Sequence, residues 1–213
     1  MPSDRIEELS AFLREINSES DRGMALVGLS SIDDRLRATL AAFMCPGRQT
    51  DVLLSGANAA LGTLSSRSAA CLALGLVEKP EFDEINILRK IRNEFAHGLV
   101  SVRFTEPRIE ALCNSLKSPL PEFVPKQQQT SRFKFSNAVT SIMSRVLYRP
   151  EWVFRERRQP RQWVDPDNLR WRSFSDEQPP EGALALTLGG GRFAIQAAEP
   201  STGPEAENGS NER

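Results

Sequence analysis

The chain has a single histidine, three scattered cysteines and no long apolar run. With His97 as the only imidazole, two-histidine metal sites and His/Cys zinc clusters are excluded. Any mechanism needing a neutral-pH imidazole base must run through that residue. Cys45, Cys71 and Cys113 are odd in number and outside CxxC spacing, which reads as small buried hydrophobes in a reducing cytoplasm. No stretch reaches the roughly 18 apolar residues of a membrane span, and no apolar signal core follows Met1-Pro2-Ser3-Asp4-Arg5. The net charge is −1, so the overall charge gives no argument for non-specific nucleic-acid binding. Neither a cofactor nor a metal is expected.

What is present is unevenly spread over the 213 residues. Residues 1–148 are periodic and apolar, and about 150 residues suffice for one self-sufficient core. Residues 149–213 lose that pattern. The expectation is an all-α chain: one bundle of about six helices over 1–148, then a largely irregular tail over 149–213.

Ile6, Leu9, Leu13 and Ile16 recur at three- and four-residue steps and mark a first helix. A second, from about 20 to 44, carries Ala25, Leu29, Ile32, Leu36, Leu40 and Phe43 at near-heptad spacing, suited to packing between other helices. Pro46-Gly47 stops it, and residues 46–60 read as a loop. A third helix spans about 61–76. Pro80 opens a fourth, with acids in its first turn, Arg89, Lys90, Arg92 and His97 towards its end, and Gly98 past it. That order agrees with the macrodipole and C-cap rules. Thr105 caps a fifth helix, with Phe104 and Ile109 as a hydrophobic staple. The sixth runs from about 131 to 148.

Beyond Arg149 the three tryptophans, Trp152, Trp163 and Trp171, alternate with Arg155, Arg157, Arg158, Arg161, Arg170 and Arg172. Two readings stay open: aromatics and guanidiniums that stack bases and hold phosphates, or a segment docking on its own core or on a protein partner. Residues 183–197 read as a small hairpin. From Glu199 the composition is that of a disordered acidic tail.

Several charges fall on apolar stripes. In the fourth helix Arg92 projects into the arc of Ile85, Leu88 and Ile91, whereas Asn93 and His97 lie on a polar face. Five residues apart, Arg92 and His97 are about 140° apart on an ideal helix. Asp21 and Arg22 fall on the second helix's stripe, Asp33 at its border, and Arg67 on the apolar side of the third helix. Left unpaired in a core, such charges cost several kcal/mol each. One reading is therefore a buried ion-pair network of Asp21, Arg22, Asp33, Arg67 and Arg92, with Asp33 and Asp21 as partners for Arg92. The other is a polar pocket for an anion or a reacting phosphate.

The order Glu19-Ser20-Asp21-Arg22-Gly23, Asp33-Asp34-Arg35-Leu36, Leu61-Gly62, Arg67, Leu72-Ala73-Leu74-Gly75-Leu76 and Ile91-Arg92-Asn93-Glu94-Phe95-Ala96-His97 resembles the mannitol operon repressor family. Phe104, Ile109, Leu112 and Cys113 continue the likeness, which covers roughly residues 15–147 and stops near Arg149. It implies an all-helical bacterial transcription regulator with no recognisable helix-turn-helix, acting through protein contacts. A looser likeness joins Arg92, four intervening residues and His97 to the motif of HEPN ribonucleases. That likeness implies metal-independent RNA cleavage, with His97 exchanging protons, Arg92 binding phosphate and Asn93 positioning it.

The favoured expectation is the non-enzymatic regulator: a cytoplasmic homo-oligomer with a protein partner of unknown identity, no membrane and no direct operator binding. The alternative is the endoribonuclease, with RNA as its partner.

Overall fold

The computed structural model describes residues 3–56, 58–97, 102–161, 169–171, 184–189 and 192–197. The chain divides into two compact units, Met1–Pro160 and Arg161–Arg213. The first is all-helical: α1 (Ser3–Ser18), α2 (Asp21–Phe43), α3 (Arg48–Leu54), α4 (Leu64–Ala73), α5 (Lys79–His97), α6 (Pro107–Asn114), α7 (Ser131–Val146) and α8 (Arg149–Val153), the last continuing into a 3₁₀ turn at Phe154–Glu156. The six expected helices are α1, α2, α4, α5, α6 and α7. The first unit runs past the expected boundary at residue 148, because α8 packs on α2 and buries Val153 there.

α2 is the central element and touches α1, α3, α4, α5, α7 and α8. A helix surrounded by neighbours needs apolar residues around much of its girth. Met24, Ala25, Leu29, Ile32, Leu36, Leu40 and Phe43 are all buried. Gly28 lets α7 approach closely, since a Cβ there would lie 3.0 Å from a Val139 methyl carbon. Phe95 of α5, Phe104 and Phe135 of α7 form a chain of tilted rings, with centroids 4.8 and 5.2 Å apart.

Side-chain caps set several helix starts. Ser20 accepts from the Gly23 N–H, Thr130 from the Phe133 N–H, and Thr63 forms a capping box with Ser66. Three local expectations are corrected. Residues 48–54 form a helix instead of a loop. Thr50 Oγ1 donates to the Cys45 carbonyl and Leu54 alone turns into the core, so the segment carries too little apolar period to announce itself. The third helix ends at Ala73, not Leu76, because Gly75 adopts φ 71°. The Leu76 N–H then reaches back to the Cys71 carbonyl and the Gly75 N–H to that of Leu72, closing a Schellman motif. α6 begins at Pro107 with Glu106 in the cap position, so Thr105 is not its cap, although Phe104 and Ile109 are both buried. Gly98, expected to close α5, lies outside the described residues.

In the second unit β1 (Leu169–Trp171) pairs parallel with β2 (Leu184–Gly189), and β2 pairs antiparallel with β3 (Arg192–Ala197). The β2–β3 register runs from Leu184↔Ala197 to Gly189↔Arg192, the hairpin read from residues 183–197. Trp163 and the segment from Glu199 onward lie outside the described residues.

Candidate functional site

His97 is the exposed last residue of α5. Together with Glu94, Val102, Glu106, Arg108 and Ile109 it lines a cleft of about 330 Å³. Arg108 closes on Glu94 at 3.0 Å. Arg92 and Asn93 are half-buried on the same helix, and Arg92 takes no ion pair among the described residues. Among the described lining residues, a phosphate approaching His97 would meet two carboxylates, with the guanidinium of Arg108 already engaged by Glu94. Electrostatically the cleft suits a cation better than a nucleic-acid backbone.

The expected charge network resolves into separate pieces. Arg67 Nη1 meets Asp33 Oδ2 at 2.6 Å, and its Nη2 donates to the Leu54 carbonyl at 3.1 Å. This pair ties α4 to α2 and to the end of α3. Its geometry is incomplete, since Asp33 Oδ1 and Arg67 Nε are buried with no hydrogen-bond partner among the described residues. Asp21 pairs elsewhere: its Oδ1 meets Arg132 Nη1 at 2.5 Å, and its Oδ2 accepts from the Phe104 N–H at 3.1 Å. Arg132 also donates to the Glu19 carbonyl at 2.7 Å. Arg22 is exposed and donates to the Ala96 carbonyl at 3.2 Å, answering one of the orphan acceptors at the end of α5. Asp33 and Asp21 thus go to Arg67 and Arg132, not to Arg92.

Sequence reasoning missed the most buried carboxylates. Glu81 is 2% exposed and takes Arg149 in a bidentate grip, Nη1–Oε2 at 2.7 Å and Nη2–Oε1 at 2.8 Å. The Glu78 N–H donates to it, and Arg149 also donates to the Leu76 carbonyl. Burial alone would raise the Glu81 pKa. The bonds from Arg149 and Glu78 and the charges of Arg149 and Arg145 outweigh it, and the carboxyl is held below its ordinary value. Glu84, 4% exposed, accepts from the Lys117 and Ser118 N–H groups and so anchors the strand of chain leaving α6. A signal was available: positions 81, 84, 85 and 88 share one helix face. Pro80 and the acidic first turn drew attention to the macrodipole instead.

The thiols are of two kinds. Burial pushes Cys71 and Cys113 up to about 12, while Cys45 is only partly covered. Among the described residues no group of three or more His, Cys, Asp or Glu side chains is arranged to hold a metal ion. Nor is any described helix long and apolar enough to cross a membrane.

A second cleft, of about 380 Å³, lies between α1, α2 and α8. Ala42, Leu147, Pro150 and Phe154 give it an apolar floor, and Arg5, Arg35 and Glu151 stand at its edge. Glu8 pairs with Arg5 at 2.5 Å and also with Arg35, while Arg5 bridges to Glu151. Phe154 itself is 56% exposed, and Trp152, two residues earlier and outside the lining, is 69% exposed.

Against solved structures, the chain is similar to one in the X-ray structure of the MtlR–HPr complex from Escherichia coli. The TM-score is 0.53 at 20% identity, covering 65% of this chain and 97% of that one. The fold is MtlR-like. No protein-family model matches the chain, and no curated protein matches it. The likeness to mannitol operon repressors, drawn from the order of short motifs, therefore has a structural counterpart at the level of fold. The MtlR-like fold says nothing for the ribonuclease motif.

Proposed function

We propose that this chain is a bacterial transcription regulator of the mannitol operon repressor type, working as an oligomer through protein contacts and without a DNA-reading element of its own. One observation carries the reading: an MtlR-like fold whose structural neighbour was solved as a complex of two proteins. The electrostatics favour it too. The chain is near neutral, and Arg67, Arg132 and Arg149 are spent on carboxylates within the bundle instead of lining a basic recognition helix. HPr is the first partner to offer, because the neighbour was solved with it.

Transcript profiling of a deletion strain tests the proposal. A small, coherent set of transcripts should change and be restored by the wild-type chain. An unchanged transcript profile under every growth condition tried would contradict it. Calorimetric titration of the purified chain with HPr then addresses the partner: a saturable heat supports an HPr-type contact, and a flat titration removes HPr.

A further inference from the structure

We propose that the surface around Phe154 is a docking site for an acidic protein segment that inserts one bulky apolar side chain. This rests on the protein-contact reading above and names where the contact is made. Three observations meet there. The cleft beside Phe154 holds about 380 Å³ over a floor of Ala42, Leu147, Pro150 and Phe154 itself, enough for a leucine or aromatic side chain. Phe154 and Trp152 flank the buried Val153 and stand more than half exposed. Aromatic side chains of this size normally bury most of their area, so leaving Phe154 more than half exposed in the lining of a cleft is a marked departure.

The third observation is charge. Arg157 lies over the Phe154 ring at 5.3 Å, Arg155 over Trp152 at 5.7 Å, and Arg158 over Phe43 at 5.2 Å. None of these three guanidiniums takes an ion pair with a carboxylate among the described residues, although Glu156 is close in sequence. At the opposite edge of the cleft, Arg5 and Arg35 are already matched by Glu8 and Glu151. Unmatched positive charge is therefore concentrated on the Phe154 side, and its complement is a partner with carboxylates around an apolar anchor. An exposed aromatic ring with arginines beside a pocket also matches the composition of interfaces.

Single-stranded nucleic acid shares the negative charge and brings flat rings. Yet Trp152 and Phe154 are two residues apart on a helical backbone, about 200° around its axis, so they form no continuous platform for successive bases. A cleft floored by Ala42, Leu147, Pro150 and a single aromatic ring takes one side chain better than a base stack.

Selection from a random-peptide display library against the full chain tests this, with affinities of synthesised winners read by fluorescence anisotropy. Enriched peptides should carry Leu, Phe or Trp beside two or more Asp or Glu. Phe154→Ala and the triple variant Arg155→Glu, Arg157→Glu, Arg158→Glu should each weaken binding at least tenfold, and Lys90→Glu, at an exposed position on α5, should not. Should Phe154→Ala lose helical circular dichroism, Phe154→Leu is measured instead and should weaken binding at least threefold. No enrichment, neutral or basic winners, or binding indifferent to these substitutions would overturn the proposal. So would tight binding of an oligouridylate that the arginine reversals abolish, which would give the surface to nucleic acid. None of these failures touches the regulator reading, which stands or falls on transcripts.

Discussion

Arg149 holds Glu81 through two parallel N–H bonds at 2.7 and 2.8 Å, joining the start of α8 to the first turn of α5 across 68 residues of sequence. The fork geometry is one that lysine cannot copy.

Breaking this pair should be among the costliest polar substitutions in the chain. Removing one partner of a buried ion pair typically costs about 3–5 kcal/mol, and the partial exposure of Arg149 places the expectation near the lower end. Arg149→Leu should lower the urea midpoint accordingly, and Arg149→Lys should recover only part of the loss. Arg92→Ala should cost less than about 1 kcal/mol, since Arg92 is half-buried and takes no ion pair among the described residues. The projection of Arg92 into the apolar arc suggested a sharp loss instead. A loss for Arg92→Ala as large as that for Arg149→Leu would restore that reading.

Acid should weaken the fold through the same carboxyl. Its pKa is depressed in the folded chain, so in acid the unfolded chain binds the extra proton and stability rises with pH in that range. The contribution is complete above the unfolded glutamate value of about 4.3 and fades as pH falls through the lower folded value. Urea midpoints taken from neutral pH downward should drop through this window in the wild type. Glu81→Gln should start lower and fall less steeply. Parallel curves for the two proteins would show that Glu81 is not a source of the acid sensitivity.

Thiol chemistry gives an independent check on packing. Cys71 and Cys113, raised to about 12 by burial, should stay silent towards a thiol-exchange reagent under native conditions, leaving Cys45 as the reactive group. One thiol per chain should titrate natively and all three in denaturant. Three fast thiols in the native protein would mean that α4 and α6 are not packed as described.

RNA cleavage should be absent. Glu94 and Glu106 line the cleft at His97, and its arginine is engaged with Glu94. Purified protein in chelator should leave single-stranded RNA intact, with His97→Ala indistinguishable from wild type. Cleavage lost in His97→Ala at unchanged melting temperature would establish catalysis through this residue.

Much of the helical frame was legible in the sequence because α2, α5 and α7 repeat their apolar residues over about three turns or more. Such a repeat survives any error about neighbours. α3 was illegible because one buried leucine in seven residues makes no period. The end of α4 was hidden because Leu76 continues the apolar rhythm, although Gly75 has already turned the backbone out of the helix. For the charges, projection placed Asp21, Asp33 and Arg67 near the core but assigned both acids to the wrong partner, Arg92. Arg132 and Arg149 come from α7 and α8, more than 60 residues from their acids, and a single helix wheel carries no such information. His97 stood out by its rarity, which is a fact about composition and not about the cleft it lines.

The central claim is regulation through protein contacts without direct DNA reading, and a mobility-shift assay tests it most directly. Promoter fragments of the genes whose transcripts change on deletion are mixed with purified full chain at physiological salt, alone and with the cognate partner recovered from the same cells. The account predicts no sequence-selective shift by the chain alone. A tight shift by the chain alone, competed by the same promoter and not by unrelated DNA, would contradict it.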